Sequence, residues 1–546
     1  MQLFASFVFL ALLQSHLGLT AVVKPSVKDI TLDIVNGPAA PDGFTRASVL
    51  ANGTFPGPVI TATKGDTLVV KVNNKLTDNT MRRSTSIDFD GVFIDTSNIY
   101  NEGSPFVTTC PFGPGTSYTY TLPLGEQTGT FWYHSQLSLQ YADGLRGAMI
   151  IYGIDIPSLI SFGLGGVSDP EDPLAHLYDV DDESTIWTVA DWWHNSSVPL
   201  FAQYLGNQII PVADSGLFNG RGRFNGGPLV DYAPVLVTKG KRYRFRIINM
   251  SARSDFMISI DNHTMTVIET DGTPTQPMEA NIVDVLAGQR YSVVVAANQP
   301  IGNYWISEYA VLGGGNPARN LNLNVTLGRG ILRYAGAPIQ EPTTPMTLGP
   351  ADPNPVIEGN LRPPPVDFNL TFVTSMTANA SSPSGFNTQW NINNIAYVPP
   401  VVPTLVKILD GANSSADFNV TENTFVFPAN KVIQVTFPPS TEDELHPFHL
   451  HGNNFWLIKA NNSDTLNEVN PIRRDVAGAG SGGTVVRFTT DKPGPWFFHC
   501  HIFWHFNVGL GSVIAGGLEE TRERVRPTEA WENLCPAYNA LPEDEK

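Results

Sequence analysis

Short apolar segments recur along most of the chain and are separated by turns. They are rich in valine, isoleucine, threonine and aromatic residues, as in GDTLVVKVNNKL, KGKRYRFRIINMS and AGQRYSVVVAANQP. Segments of this kind between Gly, Pro and Asn turns are typical of β-strands, whereas helical periodicity is scarce. The pattern therefore predicts an all-β protein built from sandwich or barrel units.

The length of the chain and the position of its prolines predict several domains. A chain of 546 residues is too long for a single core. We predict a first β domain at residues 22–153, which ends in the strand GAMIIYG, and a second at residues 154–337. Residues 338–365 are rich in proline, which lacks an amide donor, so an extended connector is predicted there. The third β domain, residues 366–546, ends in a predicted short helix at VRPTEAWENLC.

The first residues and the charge of the chain indicate export. Residues 1–21 have an apolar core of the length found in signal peptides, and no later apolar run is long enough to span a membrane. Sequons for N-glycosylation agree with a secreted, extracellular glycoprotein: Asn52, Asn195, Asn249, Asn324, Asn369 and Asn419 among others. The formal net charge of −18 disfavours a nucleic acid or an anionic membrane as partner, because either would require a basic surface.

The chain has three cysteines, Cys110, Cys500 and Cys535. An odd number in an exported protein leaves one thiol unpaired. Cys500 lies between two histidines, where a metal would use a thiolate. We therefore predict a disulfide between Cys110 and Cys535, which would join the first domain to the end of the third.

Six of the eleven histidines lie in the last part of the third domain. They flank the unpaired cysteine: His446, His449, His451, His499, His501 and His505. Imidazole with thiolate is a ligand set that transition metals select, so this stretch predicts a metal site.

Strand alternation predicts that these ligands serve two centres. In HCH, the side chains of His499 and His501 share one face of a strand while Cys500 points to the other. Cys500, with His505 and the distant His446, makes the trigonal His2Cys set of a blue-copper site. Leu510 would occupy the weak axial position as a non-ligand, and an apolar residue there should raise the reduction potential.

Two further pairs of polar residues have the same spacing. Asp88 and Asp90 in SIDFD, and His134 and Gln136 in YHSQL, are each separated by one residue. In an extended segment, residues two apart project from one face, so each pair points together into whatever that face covers.

Four segments resemble those of the multicopper oxidases, specifically fungal laccases of the basidiomycete type. They are TGTFWYHSQLSLQYADGLRG, HPFHLHG, PGPWFFHCHIFWH and ENLCPAYNAL, and the resemblance covers nearly the whole chain after the predicted signal peptide. It implies three consecutive cupredoxin-like domains. It also implies a type 1 copper that takes electrons from phenols, and a trinuclear copper cluster that reduces dioxygen to water.

The resemblance also shows where this sequence departs from the family. The family's cluster is held by eight histidines, of which five are kept here: His134, His449, His451, His499 and His501. The other three positions fall on Asp88, Asp90 and Gln136. A carboxylate is a harder ligand than imidazole and disfavours copper(I), and an amide oxygen is a poor copper ligand. A complete cluster of three coppers is therefore not expected, although another metal could be bound.

Residues around the two implied copper sites differ as well. The carboxylate that anchors phenols in the family aligns with Arg253, and Asp255 lies close by in sequence. Of two carboxylates that help to deliver protons to reduced oxygen, one is kept as Glu102 and the other is Phe503. The resemblance therefore implies changes in the substrate pocket and along the proton path.

These observations predict a secreted laccase-like copper oxidoreductase with impaired or altered reduction of O2. It would oxidise small phenolic or aromatic compounds by one electron. The alternative is a laccase homologue without oxidase turnover: a partner subunit in a heteromer with an active laccase, a copper-binding protein, or a non-redox enzyme that uses the Asp and His groups as acid and base. A hydrolytic zinc site has the right residue types but no recognisable motif. For Asp88 and Asp90 three states stay open: ion pairs with histidines and no metal, a mono- or dinuclear site for another metal, or a slow copper cluster.

Overall fold

The computed structural model describes residues 25–153, 172–207, 209–311, 323, 327–343, 358–379, 387–441 and 444–546. The predicted signal peptide and the middle of the predicted connector lie outside the described residues. No helix within these ranges is long and apolar enough to cross a membrane. The elements are mostly strands, and the all-β prediction is confirmed.

Eight strands form two sheets in the first part of the chain. They are β1 (Val27–Ala39), β2 (Arg46–Ala51), β3 (Ile60–Thr63), β4 (Thr67–Asn74), β5 (Ile87–Asp90), β6 (Ser117–Pro123), β7 (Gly129–Ser135) and β8 (Arg146–Tyr152). One sheet has the order β2-β1-β4-β6 and the other β3-β8-β7-β5. Because β5 pairs with β7 in antiparallel register, Asp88 lies directly opposite His134.

The second part contains a larger pair of sheets and one helix. Its elements are β9 (Ile186–Trp192), α1 (Ser197–Asn207), β10 (Ser215–Phe218), β11 (Arg221–Gly222), β12 (Pro234–Val237), β13 (Arg242–Asn249), β14 (Asp255–Ile260), β15 (Met265–Thr270), β16 (Thr273–Ala280), β17 (Ile282–Val285), β18 (Arg290–Ala296), β19 (Asn303–Val311) and β20 (Arg329–Tyr334). The sheets have the orders β11-β10-β9-β13-β18-β15-β16 and β12-β20-β19-β14-β17.

The third part ends in short helices. Its elements are β21 (Phe368–Thr371), β22 (Thr374–Asn379), β23 (Asn387–Ile392), α2 (Thr404–Leu409), β24 (Thr424–Phe427), β25 (Val432–Phe437), β26 (His446–Leu450), β27 (Phe455–Lys459), β28 (Arg473–Arg474), β29 (Val476–Ala479), β30 (Thr484–Thr489), β31 (Gly494–Cys500), α3 (Phe503–Phe506), β32 (Gly511–Gly516), α4 (Leu518–Arg524), α5 (Glu529–Glu532) and α6 (Leu534–Asn539). The strands form two five-stranded sheets, β21-β25-β30-β27-β28 and β24-β32-β31-β26-β29, and a separate two-stranded sheet, β22-β23. The domain boundaries given above stay predictions.

The first and third parts share one buried apolar core. The same cluster contains Trp132 of β7 and Trp504 of α3, and a disulfide joins Cys110 to Cys535, the two cysteines that the sequence analysis paired. The C-terminal segment also contacts the first part, since Arg83 binds the side chain of Asp544 at 2.6 Å. This packing brings β5 and β7 against β26 and β31.

One sequon cannot carry a glycan in the folded protein. The side chain of Asn249 is fully buried and donates to the carbonyls of Ser254 (2.8 Å) and Val285 (2.7 Å). These bonds close the end of β13, so this sequon gives no support for glycosylation, whereas the prediction of export does not depend on it.

Candidate metal centres

The first candidate centre, the Cys500 site, is formed by His446, Cys500 and His505. His446 begins β26, Cys500 ends β31, and His505 lies in the short helix α3 that follows. The Sγ of Cys500 lies 3.8 Å from Nδ1 of His446 and 3.9 Å from Nδ1 of His505, and the two ring nitrogens are 3.2 Å apart. All three residues are buried, so three ligand atoms converge on one point away from water.

Burial governs the protonation of this site. It lowers the pKa of His446 to about 4 and that of His505 well below its ordinary value, so both rings are neutral at pH 7. Burial also raises the pKa of the Cys500 thiol well above its ordinary value. Neutral imidazoles are ready to coordinate, and metal binding would release the thiol proton. Leu510 is also fully buried, and its carbonyl accepts a hydrogen bond from Cys500 N at 3.0 Å.

A carboxylate that the sequence analysis missed lies at the outer edge of this site. Oε2 of Glu444 is 3.8 Å from Nε2 of His505, and Oε1 accepts a hydrogen bond from Nε of Arg253 at 3.0 Å. Glu444 precedes His446 by two positions, so the alternation of extended chain could have indicated a shared face. Asp255 instead is buried, and its Oδ1 accepts from Ala287 N at 3.1 Å; burial raises its pKa well above the ordinary value.

The second candidate centre, the acid–histidine chamber, is lined by eight side chains that are each at most 3% exposed: Asp88, Asp90, His134, Gln136, His449, His451, His499 and His501. The pairing of β26 with β31 places His449 opposite His499, and β5 with β7 supplies the acidic side. His499 and His501 flank Cys500 in the chain, so the chamber and the Cys500 site are covalent neighbours.

One corner of the chamber combines a carboxylate with two imidazoles. Oδ2 of Asp90 lies 3.0 Å from Nε2 of His501 and 3.7 Å from Nε2 of His134. Oδ1 of the same carboxylate accepts from Nη1 of Arg290 at 3.1 Å. Burial would raise the pKa of Asp90, but the charge of His449 and the hydrogen bonds from neighbouring residues hold it well below its ordinary value. Asp90 is therefore an anion.

A second corner is closed by an amide. Nε2 of Gln136 lies 3.4 Å from Nε2 of His451 and 3.2 Å from Nε2 of His499, and the two imidazole nitrogens are 2.9 Å apart. The Nδ1 of His499 donates to the carbonyl of Cys500 at 2.9 Å, so its Nε2 accepts. The amide can therefore donate one N–H to each ring, which is a hydrogen-bonding role and not that of a ligand.

The surroundings raise the pKa of both Asp88 and His449. Burial, together with the charges of Glu102 and Asp90, raises the pKa of Asp88 well above its ordinary value. Burial would lower the pKa of His449, but Asp90 and Asp475 raise it to about 9. At pH 7 the chamber therefore contains a cationic His449, and ionisation of Asp88 is opposed by its surroundings.

Glu102 orients one ring of the chamber. Its carboxylate binds Nδ1 of His451, and it also accepts from Ser104 N at 2.9 Å and from the hydroxyl of Thr108 at 2.6 Å. Burial opposes ionisation, but His451 and the hydroxyl groups lower the pKa of Glu102 below its ordinary value. Phe503 packs at the edge of the His134 ring, with centroids 5.6 Å apart, and offers no proton there.

The fold and these two centres define a class of protein. Family models for multicopper oxidases match residues 33–155, 183–337 and 397–517, and the chain belongs to the multicopper oxidase family, whose members are copper-binding oxidoreductases.

Individual relatives are laccases of basidiomycete fungi. The chain is 44% identical to Laccase-2 of Agaricus bisporus, over 95% of this chain and 96% of that protein. It is 40% identical to Laccase-4 of Trametes villosa, over 97% of both chains. Among solved structures, it is similar to the laccase of Botrytis aclada, with 28% identity and a TM-score of 0.79 over 95% of this chain and 93% of that one.

Proposed function

We propose that this protein is a secreted laccase-like oxidoreductase that oxidises phenolic or aromatic compounds by one electron at the Cys500 site. The convergence of His446, Cys500 and His505 within 4.8 Å in a buried position carries this proposal. The ligand set fits a copper ion of the type 1 class, with Leu510 as the non-ligand at the axial side. When bound there, copper would accept one electron from the aromatic compound.

The surrounding residues would position the substrate and take up its proton. A phenol that loses one electron to give a neutral radical must also lose its hydroxyl proton. The carboxylate of Glu444, 3.8 Å from the ring edge of His505, is placed to accept that proton. Arg253 orients the carboxylate and would attract a substrate that carries an acidic group. Asp255, which is buried behind this edge, would have a supporting role.

We further propose that O2 reduction is impaired because the acid–histidine chamber does not fit three coupled coppers. Gln136 directs its amide nitrogen at His451 and His499, and Asp90 is paired with Arg290. Reduction of O2 to water collects four electrons at one place, and the remaining histidines His134, His449, His451, His499 and His501 supply too few copper ligands for this. Glu102 keeps its family position beside His451, where its carboxylate would take up and pass on protons.

Metal content and oxygen uptake test this function. We expect copper-loaded protein to be blue, to contain fewer than four coppers per chain, and to be bleached by a phenol faster than it consumes O2. The triple variant Asp88→His, Asp90→His and Gln136→His should raise oxygen uptake. The Cys500→Ser variant is the control that removes the colour and the phenol reaction. Four coppers per chain with rapid oxygen uptake in the unaltered protein would contradict the proposal.

A second candidate function is a laccase homologue without oxidase turnover. It is favoured by the ion pair of Asp90 with Arg290 and the hydrogen bond of Asp90 with His501, which give this carboxylate partners without any metal. Such a protein could bind copper, act in a heteromer with an active laccase, or use its Asp and His groups in acid–base chemistry. It predicts that no phenol bleaches the copper-loaded protein. It also predicts that the triple variant gains no oxygen uptake.

A further inference from the structure

The ring of His134 is oriented by the adjacent backbone. Its Nδ1 donates to the carbonyl of Ser135 at 3.0 Å, which leaves Nε2 as the ring nitrogen that faces the chamber. That nitrogen lies 3.7 Å from Oδ2 of Asp88 and 3.7 Å from Oδ2 of Asp90. It has no hydrogen-bond partner among the residues that the structure describes. A buried imidazole nitrogen that faces two carboxyl groups and has no partner requires an explanation, and a cation supplies one.

The carboxylate of Asp90 is held with one oxygen on Arg290 and the other directed at two imidazoles. Oδ1 accepts from Arg290, whose guanidinium is fixed in turn by both oxygens of Asp475 at 2.7 and 2.6 Å. Oδ2 points to His134 and His501. Outer partners that orient a carboxylate in this way are typical of metal sites. The next residue, Gly91, has φ +82°, and a Cβ there would lie 2.0 Å from Nη2 of Arg290, so glycine is needed for this approach.

The spacing of the three donor atoms suits a single ion. Two ligands bound at about 2.1 Å lie about 3.0 Å apart at a right angle and about 3.4 Å apart at a tetrahedral angle. Oδ2 of Asp90 lies 3.0 Å from Nε2 of His501 and 3.7 Å from Nε2 of His134, and all three donors lie within 4.8 Å of one another. A shift of a few tenths of an ångström would bring the Asp90–His134 pair to the tetrahedral spacing. The corner at Gln136 differs, because the Nε2 atoms of His451 and His499 already face the amide nitrogen of Gln136.

We propose that Asp90, His134 and His501 bind one divalent first-row ion, iron(II) or zinc(II), in a mononuclear site of two histidines and one carboxylate. This donor set is the one found in non-haem iron(II) sites and in catalytic zinc sites, and its carboxylate disfavours copper(I). The inference concerns the chamber alone and does not depend on oxidation at the Cys500 site. If copper-loaded protein were not blue, the proposed function would be refuted, but the proposal for Asp90, His134 and His501 would be unaffected.

Metal titration of the full chain tests the site. Protein freed of metal with a chelator is titrated without oxygen with iron(II) sulfate and, separately, with zinc chloride, and bound metal is counted by mass spectrometry. A Cys500→Ser background removes the other centre from the count. One ion per chain is expected, and anomalous scattering in crystals should locate it about 2.1 Å from the three donor atoms. The two titrations give the affinity of the site for each ion.

Matched variants separate a ligand from a merely buried acid. Asp90→Asn and His134→Ala should weaken binding by more than about 100-fold, since each loses a direct ligand. Asp88→Asn is the control, because Asp88 is equally buried in the same chamber but lies outside the proposed triad. Near-ultraviolet circular dichroism checks that every variant is folded. Absence of stoichiometric binding, an equal loss in Asp88→Asn, or two or more coupled coppers in the chamber would overturn the proposal.

Discussion

Arg290 provides the sharpest test of how the chamber is held together. Its side chain is fully buried, and it contacts two buried carboxylates, Asp475 at 2.6 and 2.7 Å and Asp90 at 3.1 Å. Its Nε also donates to the carbonyl of Thr130 at 3.1 Å. Burial alone would lower the pKa of Arg290, but Asp475, Asp271 and Asp90 raise it above its ordinary value. The guanidinium is thus the cation that compensates the acidic side of the chamber.

Replacing this cation with an apolar side chain, Arg290→Met, should be severely destabilising. Removal of one partner from a buried ion pair costs about 3–5 kcal/mol, because the remaining charge stays buried without compensation. The carbonyl of Thr130 loses its donor, which adds about 1 kcal/mol. His449 continues to compensate both Asp90 (3.8 Å) and Asp475 (3.5 Å), which offsets part of this loss. We therefore expect a decrease of about 4 kcal/mol in the free energy of unfolding.

The assay is urea denaturation of metal-free protein at pH 7, followed by tryptophan fluorescence and extrapolated to water. Arg487→Met is the matched control, because this guanidinium is also buried but its acidic partner Glu468 is 56% exposed; we expect a loss of about 1 kcal/mol. Adding Asp90→Asn to Arg290→Met should restore part of the stability, since one uncompensated charge is removed. The reasoning is refuted if Arg290→Met costs no more than Arg487→Met, or if Asp90→Asn lowers stability further.

Three other predictions concern different parts of the molecule. Glu444→Gln should lower kcat/KM by about 10²-fold for phenols but not for a donor that releases no proton, and equal loss with both donors would exclude proton transfer to Glu444. Arg253→Met should raise KM more for acidic substrates than for neutral phenols. Burial lowers the pKa of His263 below 6.5, so the stability that its neutral ring contributes is complete above pH 6.5 and is lost as the pH falls below that value. The slope of unfolding free energy between pH 7.5 and 5 should therefore decrease in His263→Gln, and an unchanged slope would contradict this. Burial lowers the pKa of Lys492 to about 8, so at pH 8 about half of its amine is free, about 10²-fold more than for an ordinary lysine; acetic anhydride should modify it before the exposed lysines, as peptide mass spectrometry would detect.

The sequence predicted those parts of the structure that depend on local periodicity or on family segments. The strands in segments such as GDTLVVKVNNKL, the all-β class and the shared face of Asp88 and Asp90 follow from local patterns. Among these, alternation of period two is fixed by the geometry of an extended chain. The Cys110–Cys535 disulfide followed from counting cysteines. None of these inferences requires knowledge of which distant segments pack together.

The residues that decide the chemistry of the chamber could not be found in this way. Arg290 is separated from Asp90 by 200 positions and from Asp475 by 185, so their contact exists only after three sheets have packed. Long-range ion pairs leave no periodic pattern, and an arginine in the strand segment QRYSVVV reads equally well as a surface residue. This explains why ligand identity alone left three states open for Asp88 and Asp90. The packed structure separates their roles. Asp90 is fixed as an anion with one oxygen directed at two imidazoles, whereas burial and neighbouring carboxylates raise the pKa of Asp88, and a metal site that uses the first need not involve the second.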